Sequence, residues 1–351
     1  MIVIRAGRGL SIRLRPRALA VGAGTVLLAL GVAGFALGGG DYPITPAGVL
    51  RVLAGHGGPA ETFVVAELRL PRQVTALLVG AALALSGTVF QSLVRNPLGS
   101  PDLLGLGQGA ATGALVVVVA GGSSLALATA ALAGGVGTGL VIFGIAARRG
   151  LHGYRLILVG IGVGAILAGV NGYLLTRARL MDAARAMLWL TGSLDGRGWT
   201  DALPLLAVVA VLAPLVLLGC GPGLRLLEMG DDTAAALGVP VRPLRVTLLL
   251  AATLLVSAAT AAAGPVSFVA LVAPHLAKRL TRAPGPNLLP ALGTGALLLV
   301  TADLAAQRVF ADLAAQRAFA GRQLPVGVVT GALGGGYLVW LLATRRKAGR
   351  T

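Results

Sequence analysis

Ten apolar runs follow one another through this chain, each close to the roughly 20 residues that carry an α-helix across a bilayer, and only 12% of all residues are charged. They lie at 17–38, 71–94, 103–120, 124–147, 154–176, 202–220, 244–262, 265–280, 287–307 and 325–343. A soluble core has no use for so much uninterrupted apolar length, so the chain reads as an all-α polytopic membrane protein of about ten helices, one domain spanning 1–351. Mean hydropathy is +0.88, and 53 glycines against 4% aromatics predict spans that pack closely. Small residues recur at four-residue spacing at Gly105/Gly109/Gly113, Gly135/Gly139, Gly160/Gly164 and Gly331/Gly335, which reads as helix packing.

The net charge of +17 would point to nucleic acid in a soluble protein, but here the basic residues cluster between the apolar runs. With the amino terminus in the cytoplasm, most of the 29 Lys and Arg fall on the inner side, so both termini are expected inside and no nucleic-acid partner is implied. Residues 1–16 form a basic cytoplasmic tail, and the run after it is too long for a cleaved leader, so it is kept as the first span. Between the first two runs, Thr45 followed by Pro46 predicts a short capped external helix.

Catalytic chemistry is hard to find. The only lysines, Lys278 and Lys347, sit outside any glycine-rich phosphate loop, so ATP-Mg would have to bind a separate chain and this chain binds no cofactor of its own. One cysteine, Cys220, and three scattered histidines make no metal-ligand spacing, so no metal site is expected. His275 lacks an evident carboxylate partner for nucleophilic or hydrolytic work, so the chain is not expected to be an enzyme. Asp303 and Asp312 are the only acids placed where an ion-coupled carrier would want them, and a secondary transporter working alone remains the alternative.

The polar island at 225–245 stands out against this background. It carries Glu228, Asp231 and Asp232, three of the twelve acids, ahead of an alanine run ending at Leu237 and Gly238. Acids at the start and glycine at the stop predict a short capped helix outside the bilayer, on the cytoplasmic side, offering a handle to a soluble partner.

Several segments together resemble one family, the permease subunits of ABC importers for ferric siderophores, haem and cobalamin. They are ELRLPRQVTALLVGAALALSGTVFQSLVRNPLGSPDLLGLGQGAATGA (67–114), YRLILVGIGVGAIL (154–167), WLTGSLDGRGW (189–199), LLEMGDDTAAALGVPV (226–241), AGPVSFVALVAPHLAKR (263–279) and QLPVGVVTGALGGGYLVWLL (323–342). RNPLGSPD, RLLEMGDDTAAALGV and AGPVSFVALVAPH most resemble the ferric catecholate branch, in which two paralogous permeases pair.

The resemblance implies a ten-helix permease in the bacterial plasma membrane, dimerised around a central path with a second permease subunit. Two nucleotide-binding ATPase subunits would sit below it and a periplasmic or lipid-anchored siderophore-binding protein above. It implies that Glu228, Met229, Gly230, Asp231, Asp232, Thr233, Leu237 and Gly238 couple to the ATPase. Arg69 and Arg72, and Arg317 further on, would dock the binding protein. Gly153 and Tyr154 would mark the cytoplasmic gate, where this chain lacks the small hydroxyl residues of some members. Gln91, Asn96, Gln108 and Asn171 are candidates to line the path.

One departure is particular to this chain. ADLAAQRVF (302–310) is followed at once by ADLAAQRAF (311–319), a tandem copy at 302–319 that places nine surplus residues at the expected outer end of the ninth span. Matched to the family, the second copy stands at the right distance from LPVG and the first continues LLLVT, so the first copy is expected to be dispensable, added as an extended helix end or a protruding loop.

Overall fold

A computed structural model describes residues 2–6, 10–40, 42–147, 153–315 and 324–348. Strands β1 (Ile2–Ala6) and β2 (Leu10–Leu14) pair antiparallel, Ile2 opposite Leu14 and Ile4 opposite Ile12, so the basic tail contains a hairpin that its charge did not announce. The other regular elements among the described residues are helices. In order come α1 (Pro16–Gly38), α2 (Pro46–Leu53), α3 (Pro59–Thr62), α4 (Leu70–Val94), α5 (Leu106–Val119), α6 (Ser124–Ala147), α7 (Gly153–Arg177) and α8 (Leu180–Leu190). Then follow α9 (Trp199–Pro214), α10 (Gly221–Leu227), α11 (Asp231–Ala236), α12 (Val241–Ala263), α13 (Val269–Thr281), α14 (Leu288–Ala315) and α15 (Val326–Ala348). Wide π-type turns at Phe63–Arg69 and Leu215–Cys220 lead into α4 and out of α9.

Each of the ten apolar runs holds a helix, and α2 stands where Thr45 and Pro46 place it, with the Thr45 hydroxyl accepting from the Gly48 N–H at 3.2 Å. Two spans depart from expectation. The run at 265–280 contributes only 13 helical residues in α13, and that at 103–120 only 14 in α5. At 1.5 Å per residue these helices are about 20 Å long, short of the ~30 Å hydrocarbon core. Pro101 and Gly105 stand at the entry to the 103–120 run, and Gly264 and Pro265 at the entry to the 265–280 run, so the missing length is irregular backbone at 95–105 and 264–268. Such backbone is tolerated at membrane depth only when protein buries it or it borders a cavity.

Helix α4 is the axis of the core. It is buried along most of its length against α12, α13 and α14, whereas α1 and α7 leave most of their apolar surface open to lipid or to another subunit. Glycine makes this possible. A Cβ on Gly80 would collide with the backbone of Gly295, and one on Gly87 with the Ala270 carbonyl, so α4 lies backbone to backbone on α14 and α13. The spaced glycines of α5 to α7 behave the same way, Gly105 against Gly164 and Gly109 against Gly134, while Gly331 and Gly335 of α15 meet nothing.

Candidate functional site

The 225–245 island folds as a closed loop of helix. Helix α10 ends at Leu227, Gly230 takes φ 125°, a conformation that disfavours any side chain, and α11 follows with Asp231 and Asp232 in its first turn. Its end is a Schellman closure. Gly238 at φ 83° donates to the Ala235 carbonyl at 2.9 Å, and Val239 donates to that of Ala234 at 3.0 Å. The buried Ala234 pins one face to the body, and Met229, Asp232, Thr233 and Leu237 are exposed on the other. Met229 is 67% and Leu237 59% exposed, a pair of large apolar groups flanking an acid on a rigid, capped element.

Not all of the expected coupling residues face outward. Ser92 donates to Glu228 Oε1 at 2.7 Å. Asp231 accepts from Arg95 at 2.6 Å and from Arg245 at 2.8 and 2.9 Å. Those two acids therefore hold the island to the ends of α4 and α12 instead of standing free for a partner. Arg95 and Ser92 went unassigned in the sequence, because nothing local marks a residue whose partner lies 136 positions away, and Arg245, 14 positions from Asp231, was not paired with it either.

The end of α4 also meets the expected gate. A Cβ on Gly153 would come within 2.6 Å of Val94 Cα, so α7 starts in direct backbone contact with this turn. Tyr154, beside it, is 72% exposed. His275 Nε2 donates to the Pro97 carbonyl at 2.9 Å, tying α13 to the same turn.

The four polar candidates for the path divide. Gln108 and Asn171 border a cavity of 460 Å³ together with Asp102, Thr191, Pro265 and Ser267, placed where both irregular segments meet the start of α5 and the latter part of α7. Asn171 donates to the Gln108 side chain at 3.0 Å and accepts from Thr112 at 2.6 Å, so it joins the helices while forming part of the wall. Gln91 and Asn96 lie away from that cavity. Gln91 is buried and donates to the Leu271 carbonyl at 3.1 Å between α4 and α13, and Asn96 closes its own turn by accepting from Leu98 N–H at 2.9 Å. An amide in tight packing is held by the backbone groups it satisfies. Asp102 and Ser267 were missed as wall residues, although the interruptions SPDLLG and GPVSF were visible.

At the opposite end of α4 the expected docking arginines are also engaged. Arg69 donates to the carbonyls of Leu37 and Tyr42, both at 2.8 Å, fastening the end of α1. Arg72 forms a two-point contact with Asp303 at 2.9 and 3.1 Å and a longer one with Asp195 at 3.4 Å. Asp303 is 1% exposed and also accepts from Gln307 at 2.6 Å. Its ion pair answers the question its position raised: this buried acid is a structural carboxylate already matched to a cation.

Asp303, Gln307 and Arg308 all belong to the first copy of the repeat, with the Arg308 guanidinium 4.4 Å over the Phe35 ring. The first copy is therefore packed against α4 and α1, and α14 runs on through it as far as Ala315. Arg317 lies outside the described residues.

The model of the FecCD transport family matches residues 26–344. The ferric enterobactin transport system permease protein FepG of Escherichia coli (strain K12) is 47% identical over 84% of this chain and 86% of its own. The achromobactin transport system permease protein CbrC of Dickeya dadantii (strain 3937) is 37% identical over 92% and 90%. A solved inward-facing structure of a metal-chelate type ABC transporter superposes with a TM-score of 0.79 at 27% identity, covering 93% of this chain and 99% of that one.

Proposed function

We propose, from the premise that this chain belongs to the FecCD transport family, that it is the membrane permease subunit of an ABC importer that carries a ferric siderophore inward across the bacterial plasma membrane. The cargo is a catecholate of the enterobactin type, in keeping with the similarity to the ferric enterobactin permease. The chain performs no chemistry. ATP-Mg is bound and hydrolysed by two nucleotide-binding subunits, and a second permease, a paralogue, completes the path from the open faces of α7 and α15. Lipid surrounds the remaining apolar surface.

The observation that carries this reading is the form of the island. A six-residue helix closed at both ends by glycines, bearing exposed Met229 and Leu237 around Asp232 and braced from behind by salt bridges, suits a cleft in a soluble subunit. Bracing matters because a handle transmits a displacement only if it does not yield. On this reading the island, the Arg95 turn and both termini are cytoplasmic, and the Arg72 end of α4 is outside.

At that outer end Arg69 and Arg72 are already fixed by partners within the chain, so a binding protein bearing carboxylates would meet preset guanidinium groups and order no long side chain on docking. Arg72 is largely neutralised by Asp303, which leaves Arg69 as the stronger docking group, with Arg317 added from the second copy. Gly153 and Tyr154 form the inner gate, and Gln108 and Asn171 part of the path.

The test is uptake of a labelled ferric tris-catecholate in vesicles holding the two permeases and the ATPase. Leu237→Asp, at equal membrane abundance, should abolish uptake and release the ATPase on purification. Unchanged uptake and unchanged co-purification would remove the island from the ATPase interface.

A further inference from the structure

The turn that ends α4 carries more connections than capping a helix requires. Within residues 92–97, Ser92 holds Glu228 at 2.7 Å, and Arg95 holds Asp231 at 2.6 Å and the Leu227 carbonyl at 3.2 Å. The Pro97 carbonyl receives His275 at 2.9 Å, and Val94 bears directly on Gly153. One turn thus touches the ATPase-facing island, the start of α7 and the body of α13.

The turn is also stiff. Asn96 N–H donates to the Gln91 carbonyl at 3.2 Å and Arg95 N–H to that of Ser92 at 3.3 Å, the same Schellman closure that ends α11. At Gly238 the left-handed position is filled by glycine, as sterics favour. Here it is filled by Arg95 at φ 52°, a conformation an L side chain rarely adopts. Glycine would close the turn at less strain, so what the position gains is the guanidinium.

We propose that Arg95 is a positioning residue for transport coupling: with Ser92 it makes the coupling segment and the end of α4 move as one piece, and that piece drives α7 at Gly153. The proposal rests on the island being the ATPase contact. Arg95 and Asp231 are 43% and 42% exposed, so the tie adds little to folding while fixing the angle between the island and α4. Arg245, 12% exposed, holds Asp231 from the α12 side and keeps the carboxylate in place when Arg95 is removed.

The experiment measures uptake of the labelled ferric tris-catecholate and ATP hydrolysis in the same vesicles, and reports uptake per ATP. Arg95→Ala should keep the ATPase bound and hydrolysing while uptake per ATP falls about tenfold, and Arg95→Lys, which preserves the charge, should restore most of it. Uptake per ATP within about twofold of the parent would overturn the proposal, as would loss of the ATPase from the Arg95→Ala complex, which would make Arg95 part of the docking surface. If Arg95→Ala does not accumulate, Ser92→Ala removes only a hydroxyl and should lower the same ratio; an unchanged ratio would count against the proposal. Failure of the underlying reading looks different, because Leu237→Asp would then leave the ATPase bound whatever Arg95 does.

Discussion

The two ends of α4 are built from the same chemistry in opposite proportions. At one end a single guanidinium, Arg72, is shared by two acids, and the principal acid, Asp303, is 1% exposed. At the other a single acid, Asp231, is shared by two guanidinium groups and is 42% exposed. Burial decides what each can do. A pair withdrawn from water is held in one geometry, because breaking it strands a charge, whereas a half-exposed pair can be loosened and remade with water as the substitute partner. The Arg72 end is a buried anchor and the Arg95 end a half-exposed brace, on one helix that is packed closely along its middle.

The largest effect should come from breaking the anchor. Asp303→Ala removes the buried carboxylate held by Arg72 and is expected to cost about 3–5 kcal/mol, seen as lost membrane abundance and a lower unfolding midpoint in detergent. Arg72→Met with Asp303→Leu should recover most of that loss, and a double variant as unstable as the single would show that the pair is not the cause. Next comes the rod between the two ends. Gly87→Val drives a side chain into the Ala270 backbone and should cost about 1–3 kcal/mol in the same assay; a neutral result would mean that α4 and α13 are free to separate.

At the Arg95 end the effects shrink. Asp231→Asn should shift stability by less than about 1 kcal/mol, and raising salt should mimic it, while the Asp303 pair should resist salt. A large loss of stability on Asp231→Asn would make both ends anchors. The smallest effect belongs to the repeat. Deleting 302–310 slides the second copy into the packed position, and deleting 311–319 leaves the first, so the two products differ only in Val or Ala at position 309. Both should match the parent in unfolding midpoint, and a marked difference between them would show that this one side chain, not the Asp303 pair, holds the end of α14.

The helices were legible because each is specified locally. Ten apolar runs, Thr45 ahead of Pro46, and Gly238 after an alanine run all name their own structure. The short helices α5 and α13 were half legible, since Pro101, Gly105, Gly264 and Pro265 stand at the entry to their runs, but a count of apolar residues does not register where backbone stops being helical inside a membrane. The family was legible from motifs distributed over the whole chain. The roles of single side chains were less so. Arg72 and Asp231 were read as surface groups awaiting other proteins, and the sequence did not show that each also has partners within the chain.

By itself, then, the sequence determined that this is a multi-pass helical membrane protein of the FecCD kind with a capped polar handle between two spans, because apolar length, caps and short motifs are encoded by neighbours. Tertiary structure alone decided which acids are spent on internal ties, and that one turn joins the handle to α7 and α13. Those outcomes depend on contacts between residues 136 and 231 positions apart, and no local pattern of charge or polarity encodes which distant partner will quench a given group.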